Sequence, residues 1–283
     1  MGRMARGWAL TKQSWAVVRG DRTLLVFPVV AAVAGLLAAL LLFGAGAGVV
    51  AATGSGWAGA PLFALGVYAL TVISVFCSVA LAACAARALE GHDTTFAEGI
   101  AAARSRSRLI FAWAAVQLVV GLAISALQAL LREGAGQLIG SIVGGLANFA
   151  WAAATFFVIP TIALEGLGPK EALQKSIAVI RARWGEGVTG AAAVGGIVFV
   201  AGFLPAIVLV FLGFSITGSA APAGAALIVL GIAIGVVAGL VQTTLMAVFK
   251  VALYRFATTD QVLGGFDRTA LEQAFVTKSR RGA

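Results

Sequence analysis

Ser14-Trp15-Ala16-Val17-Val18-Arg19 passes through Gly20-Asp21-Arg22-Thr23 into Leu24-Leu25-Val26-Phe27-Pro28-Val29-Val30-Ala31-Ala32-Val33-Ala34-Gly35-Leu36-Leu37-Ala38-Ala39-Leu40-Leu41-Leu42-Phe43-Gly44, a basic-ended segment followed by a long run without a charge. A bilayer core about 30 Å thick takes about 20 apolar residues of helix, so the run reads as a membrane span. Working outward, comparable runs lie at about 62–86, 109–131, 138–164, 187–214 and 222–249, giving six spans at about 24–44 and these five. They are continuous rather than alternating, which predicts helices and not the two-sided strands of a barrel. Composition agrees: 61% of the residues are hydrophobic and 11% charged. The fold class expected is an all-α polytopic membrane protein with lipid as its solvent. The connection Ala45–Pro61 carries no charge and reads as a loop.

The opening hexapeptide recurs. Ser176-Ile177-Ala178-Val179-Ile180-Arg181 matches it almost letter for letter, and Gly99-Ile100-Ala101-Ala102-Ala103-Arg104 is a weaker copy. Down the columns Thr11, Phe96 and Leu173 correspond, then Trp15, Ile100 and Ile177, then Val18, Ala103 and Ile180. These columns are spaced i, i+4, i+7, one face of a helix. Each leader is therefore expected to be an amphipathic helix lying in the headgroup layer, an elbow that precedes a transmembrane hairpin. Three such units, at about 4–89, 94–164 and 168–257, make parallel repeats within a domain 1–257, followed by a basic tail 258–283. Thr95 with Glu98 has the spacing of a capping box, and Pro169 suits a first helical position.

Basic residues set the orientation. Arg3, Arg6, Lys12, Arg19 and Arg22 precede the first span; Arg87, Arg104, Arg106 and Arg108 lie between the second and third; Lys170, Lys175, Arg181 and Arg183 lie between the fourth and fifth; Lys250, Arg255, Arg268, Lys278, Arg280 and Arg281 follow the sixth. Only Arg132 falls on the other side. The positive-inside rule then predicts a multi-pass protein of the plasma or inner membrane with both termini cytoplasmic and an uncleaved first helix. The net charge of +9 is juxtamembrane, so it points to anionic lipid and not to nucleic acid. Arg19, Arg104, Lys175, Arg181 and Arg183 form the expected headgroup-binding set.

Inside the spans two patterns stand out. Gly136, Gly140 and Gly144, and again Gly231, Gly235 and Gly239, are spaced by four and predict grooves for close helix packing, within the chain or against a second copy or another membrane protein. Gln117, Asn148, Thr155, Gln242, Thr243 and Thr244 lie at middle or inner depths, suited either to interhelical hydrogen bonds or to a polar cavity, with Gln117, Asn148 and Gln242 as the candidate polar cluster. No Asp, Glu, Arg or His lies near a span centre, which argues against ion-coupled transport. Glu165 follows Pro160, which is expected to loosen the end of the fourth span, and is assigned a structural ion pair with an elbow arginine or a bond to free helix amides. Cys77 and Cys84, about 10 Å apart along one helix face, are too far apart to bridge and read as packing residues. His92 with Glu90 and Asp93 has no recognised metal-ligand spacing, and the glycine-rich Gly44–Gly48 lacks the Lys and Ser/Thr of a phosphate loop. No catalytic group, cofactor or metal is expected.

The stretch Val158-Ile159-Pro160 through Leu164-Glu165-Gly166 to Pro169-Lys170-Glu171-Ala172-Leu173-Gln174-Lys175-Ser176 resembles a pattern of uncharacterised six-helix bacterial and archaeal membrane families. More loosely, it is similar to the membrane domain attached to some glycerophosphoryl diester phosphodiesterases. Ala252-Leu253-Tyr254-Arg255-Phe256-Ala257-Thr258-Thr259 and Gly265-Phe266-Asp267 resemble the end of one such family of unknown function. The resemblance implies six helices and no catalytic assignment, because the soluble phosphodiesterase domain has no counterpart in this sequence. The function expected is a non-enzymatic membrane protein that organises the bilayer, binds lipid or scaffolds partners; the alternative is facilitative or channel-like permeation.

Overall fold

The computed structural model describes residues 3–183, 195–218, 220–263 and 265–266, and every element among them is helical. The basic tail beyond Phe266, with Arg268, Lys278, Arg280 and Arg281, lies outside the described residues, as does the side chain of Arg183. Helix α1 runs Arg3–Gly20. It stops where Asp21 accepts a hydrogen bond from the Thr23 amide at 2.9 Å, capping a 3-10 turn over Arg22–Leu25. Helix α2 (Val26–Thr53) then tolerates Pro28 because first-turn amides have no intrahelical acceptor.

Helix α3 spans Gly56–Leu89, so the loop expected over Ala45–Pro61 shrinks to a tight turn at Gly54. Uncharged residues at membrane depth keep their backbone groups paired best by continuing the helix. Helix α4 (Phe96–Ser105) opens with the expected capping box: the Thr95 amide donates to Glu98 Oε2 at 2.9 Å, and the Glu98 amide donates to Thr95 Oγ1 at 3.3 Å. Helices α5 (Ser107–Ala135) and α6 (Gln137–Ala154) meet at Gly136, whose φ of 92° is open to glycine and strained for other residues. Nothing lies within 4 Å of a side chain built there. Gly136 is thus a turn residue and not part of the packing stripe assigned to it from spacing.

Helix α7 (Val158–Glu165) completes the fourth span after a break at 155–157. The break lies upstream of Pro160, because proline cannot donate to the carbonyl of Phe156 and its ring crowds that carbonyl. Gly166, in the left-handed region, ends α7, and α8 (Pro169–Arg183) begins on Pro169 as the sequence suggested. Helices α9 (Leu204–Ile216) and α10 (Ala221–Thr259) complete the described chain. Six helices, Arg22–Thr53, Gly56–Leu89, Ser107–Gly134, Gln137–Glu165, Gly195–Ile216 and Ala221–Thr259, are long and apolar enough to cross a membrane. Their exposed faces support that reading: Leu36, Leu37, Leu40 and Leu41 are 61–71% accessible, a contiguous apolar surface that water does not tolerate.

The contacts sort into two compact units. One comprises Val26–Cys84 and Thr94–Ala182. Within it α2 and α3 approach through Gly46, Gly59 and Gly66: a side chain at Gly59 would lie 2.7 Å from the Gly46 carbonyl, and one at Gly46 2.8 Å from the Phe63 ring. In the α5/α6 hairpin Gly140 faces the α5 backbone, where a side chain would lie 3.0 Å from the Arg132 nitrogen, and Gly144 lies under the Gln128 side chain. Phe27, Trp113, Phe157 and Ile162 are buried, and Trp113 stacks on Trp151 at 5.9 Å.

The other unit comprises Met1–Leu25, Ala85–Asp93 and Arg183–Ala283. Here α9 and α10 pack along Gly224, Gly231 and Ala238, facing Gly213, Ala206 and Gly202. A side chain at Gly231 would meet the Ala206 carbonyl at 2.8 Å, whereas Gly235 and Gly239 have only ordinary neighbours at 3.6 and 3.8 Å. The seam is spaced by seven, not by four as read from the sequence. Two helices that stay in register along their length meet every 3.5 residues, so the stripe of fours drifts off the contact. The last turns of α10, including Val248, Phe249, Leu253, Tyr254 and Phe256, are buried.

Candidate functional site

The three leader helices carry the features on which a membrane-surface role depends. Each has one small residue at the same distance from its arginine, and each of these is buried: Ser14 and Ser176 are 0% accessible and Gly99 is buried likewise. Arg19, Arg104 and Arg181 are all exposed. Of the apolar columns read in the sequence, Thr11, Val18 and Ala103 are buried, Ile100, Leu173, Ile177 and Ile180 are half-buried, and Trp15 and Phe96 are 41% and 37% accessible. The inward face thus takes in the small residues and part of the apolar columns, and the rest of the columns stays partly open.

The seating differs in chemistry at each helix. Gly99 of α4 leaves room for the Phe27 ring, and a side chain there would lie 2.9 Å from Cys84 Sγ. The Cys84 thiol in turn donates to the Thr95 carbonyl at 3.8 Å, and Phe96 packs on Phe27 with ring centroids 5.3 Å apart. Cys84 and Cys77 are both buried free thiols. On α8 the Ser176 hydroxyl accepts a hydrogen bond from the Phe157 amide at 3.1 Å. That amide belongs to the break before Pro160, where the helical acceptor is lost, so the serine of the Pro-x-x-Ala-Leu-x-x-Ser stretch repairs the kink made by the proline. Sequence spacing exposed the pattern but not this long-range bond. Ser14 of α1 is buried with no hydrogen-bond partner among the described residues.

Each unit also holds an ion pair. Glu165, at the end of α7, pairs with Lys175 of the elbow helix α8. Both side chains are about one-third accessible, and a pair so placed contributes about 0–1 kcal/mol. Arg255 of α10 pairs with Glu90 at 2.9 Å, within the unit that holds both. Glu90, His92 and Asp93 do not form a metal cluster, and among the described residues no group of three or more potential ligands occurs.

Of the intramembrane polar residues, Asn148 is bonded within its own helix. Asn148 donates to the Gly144 carbonyl one turn back at 2.9 Å and is otherwise exposed. Gln128, not singled out in the sequence, covers Gly144. Gln117 is half-buried. Gln242 lies beside Gly195, with its Oε1 buried and without a hydrogen-bond partner among the described residues.

A further feature left no motif. Phe199–Phe203 is a π-turn in which the Leu204 amide donates to the Phe199 carbonyl, five residues back. Pro205, which cannot bond to the Ala201 carbonyl, accounts for the extra residue in this turn. Beside it a cavity of about 470 Å³ is lined by Ile197, Val198, Ala201 and Gly202 on one helix and Ile234, Val237 and Ala238, among others, on α10. Every lining side chain is apolar.

Compared with known proteins, residues 56–265 match a family described as a family of unknown function, DUF6159. No curated protein and no solved structure matches the chain.

Proposed function

The chain belongs to this family of unknown function, and on that premise we propose that it is a non-enzymatic integral membrane protein that organises anionic lipid through basic helices at the membrane surface. In this reading the chain is built from three parallel repeats, each a leader helix and a hairpin, in the plasma or inner membrane with both termini cytoplasmic. The observation that carries it is the shared design of α1, α4 and α8: a buried small residue on one side, an exposed arginine near the last turn and, next to the small residue, a large apolar side chain that stays partly open, Trp15, Ile100 or Ile177. Such a helix suits the boundary between headgroups and chains, with its cation among phosphates. Each basic residue near an anionic surface contributes roughly 1 kcal/mol, screened by salt, and Lys175 and Arg183 extend the basic set. The apolar lining of the cavity beside the π-turn favours this reading over polar-solute permeation.

Replacing Lys175, Arg181 and Arg183 by Gln is expected to lower the retention of anionic lipid on purification and to leave folding intact. Unchanged lipid retention would refute a headgroup role for α8. Orientation is tested separately by cysteine accessibility: a cysteine at Ser55 labels from outside intact cells and one at Ser105 does not, and the reverse pattern would overturn the topology.

A further inference from the structure

We propose that the groove beside the π-turn holds one hydrocarbon chain of a membrane lipid. The proposal rests on reading α9 and α10 as membrane spans, but not on the basic leader helices. Its floor is Val198 and Ala238, 8% and 7% accessible, and its rim includes Val237, 59% accessible. It therefore opens sideways from the helix pair and is continuous with the exposed apolar surface of Phe199, Val200 and Val236, which are 50–61% accessible. A volume of about 470 Å³ falls within the range of about 300–1,000 Å³ typical of ligand sites.

The chemistry of the lining selects the occupant. A water molecule needs two to four polar partners, and no lining side chain offers one, so water does not fill the groove. A polar solute would lose its hydrogen bonds there. At this depth the surrounding bilayer supplies hydrocarbon, and a chain in the groove regains the dispersion contacts that an empty recess forfeits. The recess itself arises from the fold: the π-turn adds a residue where Pro205 removes a helical bond, while Gly202 lets the same helix close on Ala238, where a side chain would meet the Ala238 Cβ at 2.6 Å.

The test uses the full chain in phosphatidylcholine vesicles containing a trace of a phosphatidylcholine with a diazirine near the end of one acyl chain. After irradiation, adducts are mapped by peptide mass spectrometry. The expected result is several-fold enrichment of adducts on 197–202 and 233–241 over 36–41, a more exposed apolar stretch. Filling the groove with Ala201→Phe and Ala233→Phe is expected to abolish that enrichment and to leave labelling at 36–41 unchanged. Even labelling of both stretches in the unaltered chain, or groove adducts that survive the filling, would overturn the proposal; the first needs no variant to fold. Because the vesicles carry no anionic lipid, failure here is distinct from failure of the leader helices to hold anionic headgroups.

Discussion

Close to the leader helices the spans are held by large side chains: Phe27, Trp113, Phe157, Phe249 and Tyr254 are each almost inaccessible. At the other ends of the hairpins the contacts are made by glycines, Gly46 with Gly59, Gly140 and Gly144 under α5, Gly213 with Gly224, and Gly231 against Ala206. The large residues there, such as Leu41, Leu130, Leu138 and Phe211, are 68–72% accessible. The difference follows from the solvent. Where lipid surrounds a hairpin, an apolar side chain gains little by turning inward, and close backbone approach provides the cohesion. Where short helices must be fixed against spans, interlocking aromatics and specific polar bonds set one geometry.

That contrast can be broken by mutation. The largest effect is expected for Phe249→Ala, a cavity in the tightly packed region, at about 3–5 kcal/mol, against almost nothing for Phe211→Ala. Unfolding titrations with SDS in mixed micelles would measure both, and equal losses would erase the distinction between the two regions. Next comes the glycine seam. Gly231→Leu overpacks the Ala206 backbone and is expected to cost about 1–3 kcal/mol, with Gly235→Leu, whose nearest neighbour is 3.6 Å away, costing clearly less. If the order were reversed, the contact would follow the spacing of four and not of seven.

Ser176→Ala sharpens the comparison inside the tightly packed region. It removes the hydroxyl acceptor of the Phe157 amide, and a loss of about 1 kcal/mol is expected, with partial recovery in Ser176→Thr. Hydrogen exchange at Phe157 reads the bond directly: faster exchange in the alanine variant is expected, and unchanged exchange would remove the serine from its role. The smallest effect belongs to Glu165→Gln, at no more than about 1 kcal/mol, because the Lys175 pair is partly exposed.

The sequence and the structure agree on the spans and on two helix starts. Hydropathy over about 20 residues located all six candidate spans, and the Thr95–Glu98 box and Pro169 marked helix starts, because each depends on neighbours in the chain. Features that depend on which faces meet were not legible. The spacing of Gly231, Gly235 and Gly239 is visible, but the register that puts Gly224, Gly231 and Ala238 on the seam comes from α9. Pro160 announced a break, yet its position at 155–157 and its repair by Ser176 required the fold of α8. The groove depends on Pro205 acting at a distance of one turn on an otherwise featureless apolar run, so no motif pointed to it.

The central claim is that exposed arginines on three leader helices hold anionic lipid at the membrane surface. Its most direct test is the anionic-lipid content of protein purified from nanodiscs of mixed charge, comparing the unaltered chain with the variant carrying Arg19→Gln, Arg104→Gln and Arg181→Gln. At roughly 1 kcal/mol per basic residue, the variant is expected to lose most of its preference for anionic over neutral lipid at low salt, to differ less at high salt, and to unfold as before. An unchanged preference, together with loss of solute flux in liposomes when Gln117 and Asn148 are both replaced by Leu, would contradict the account and favour a permeation pathway.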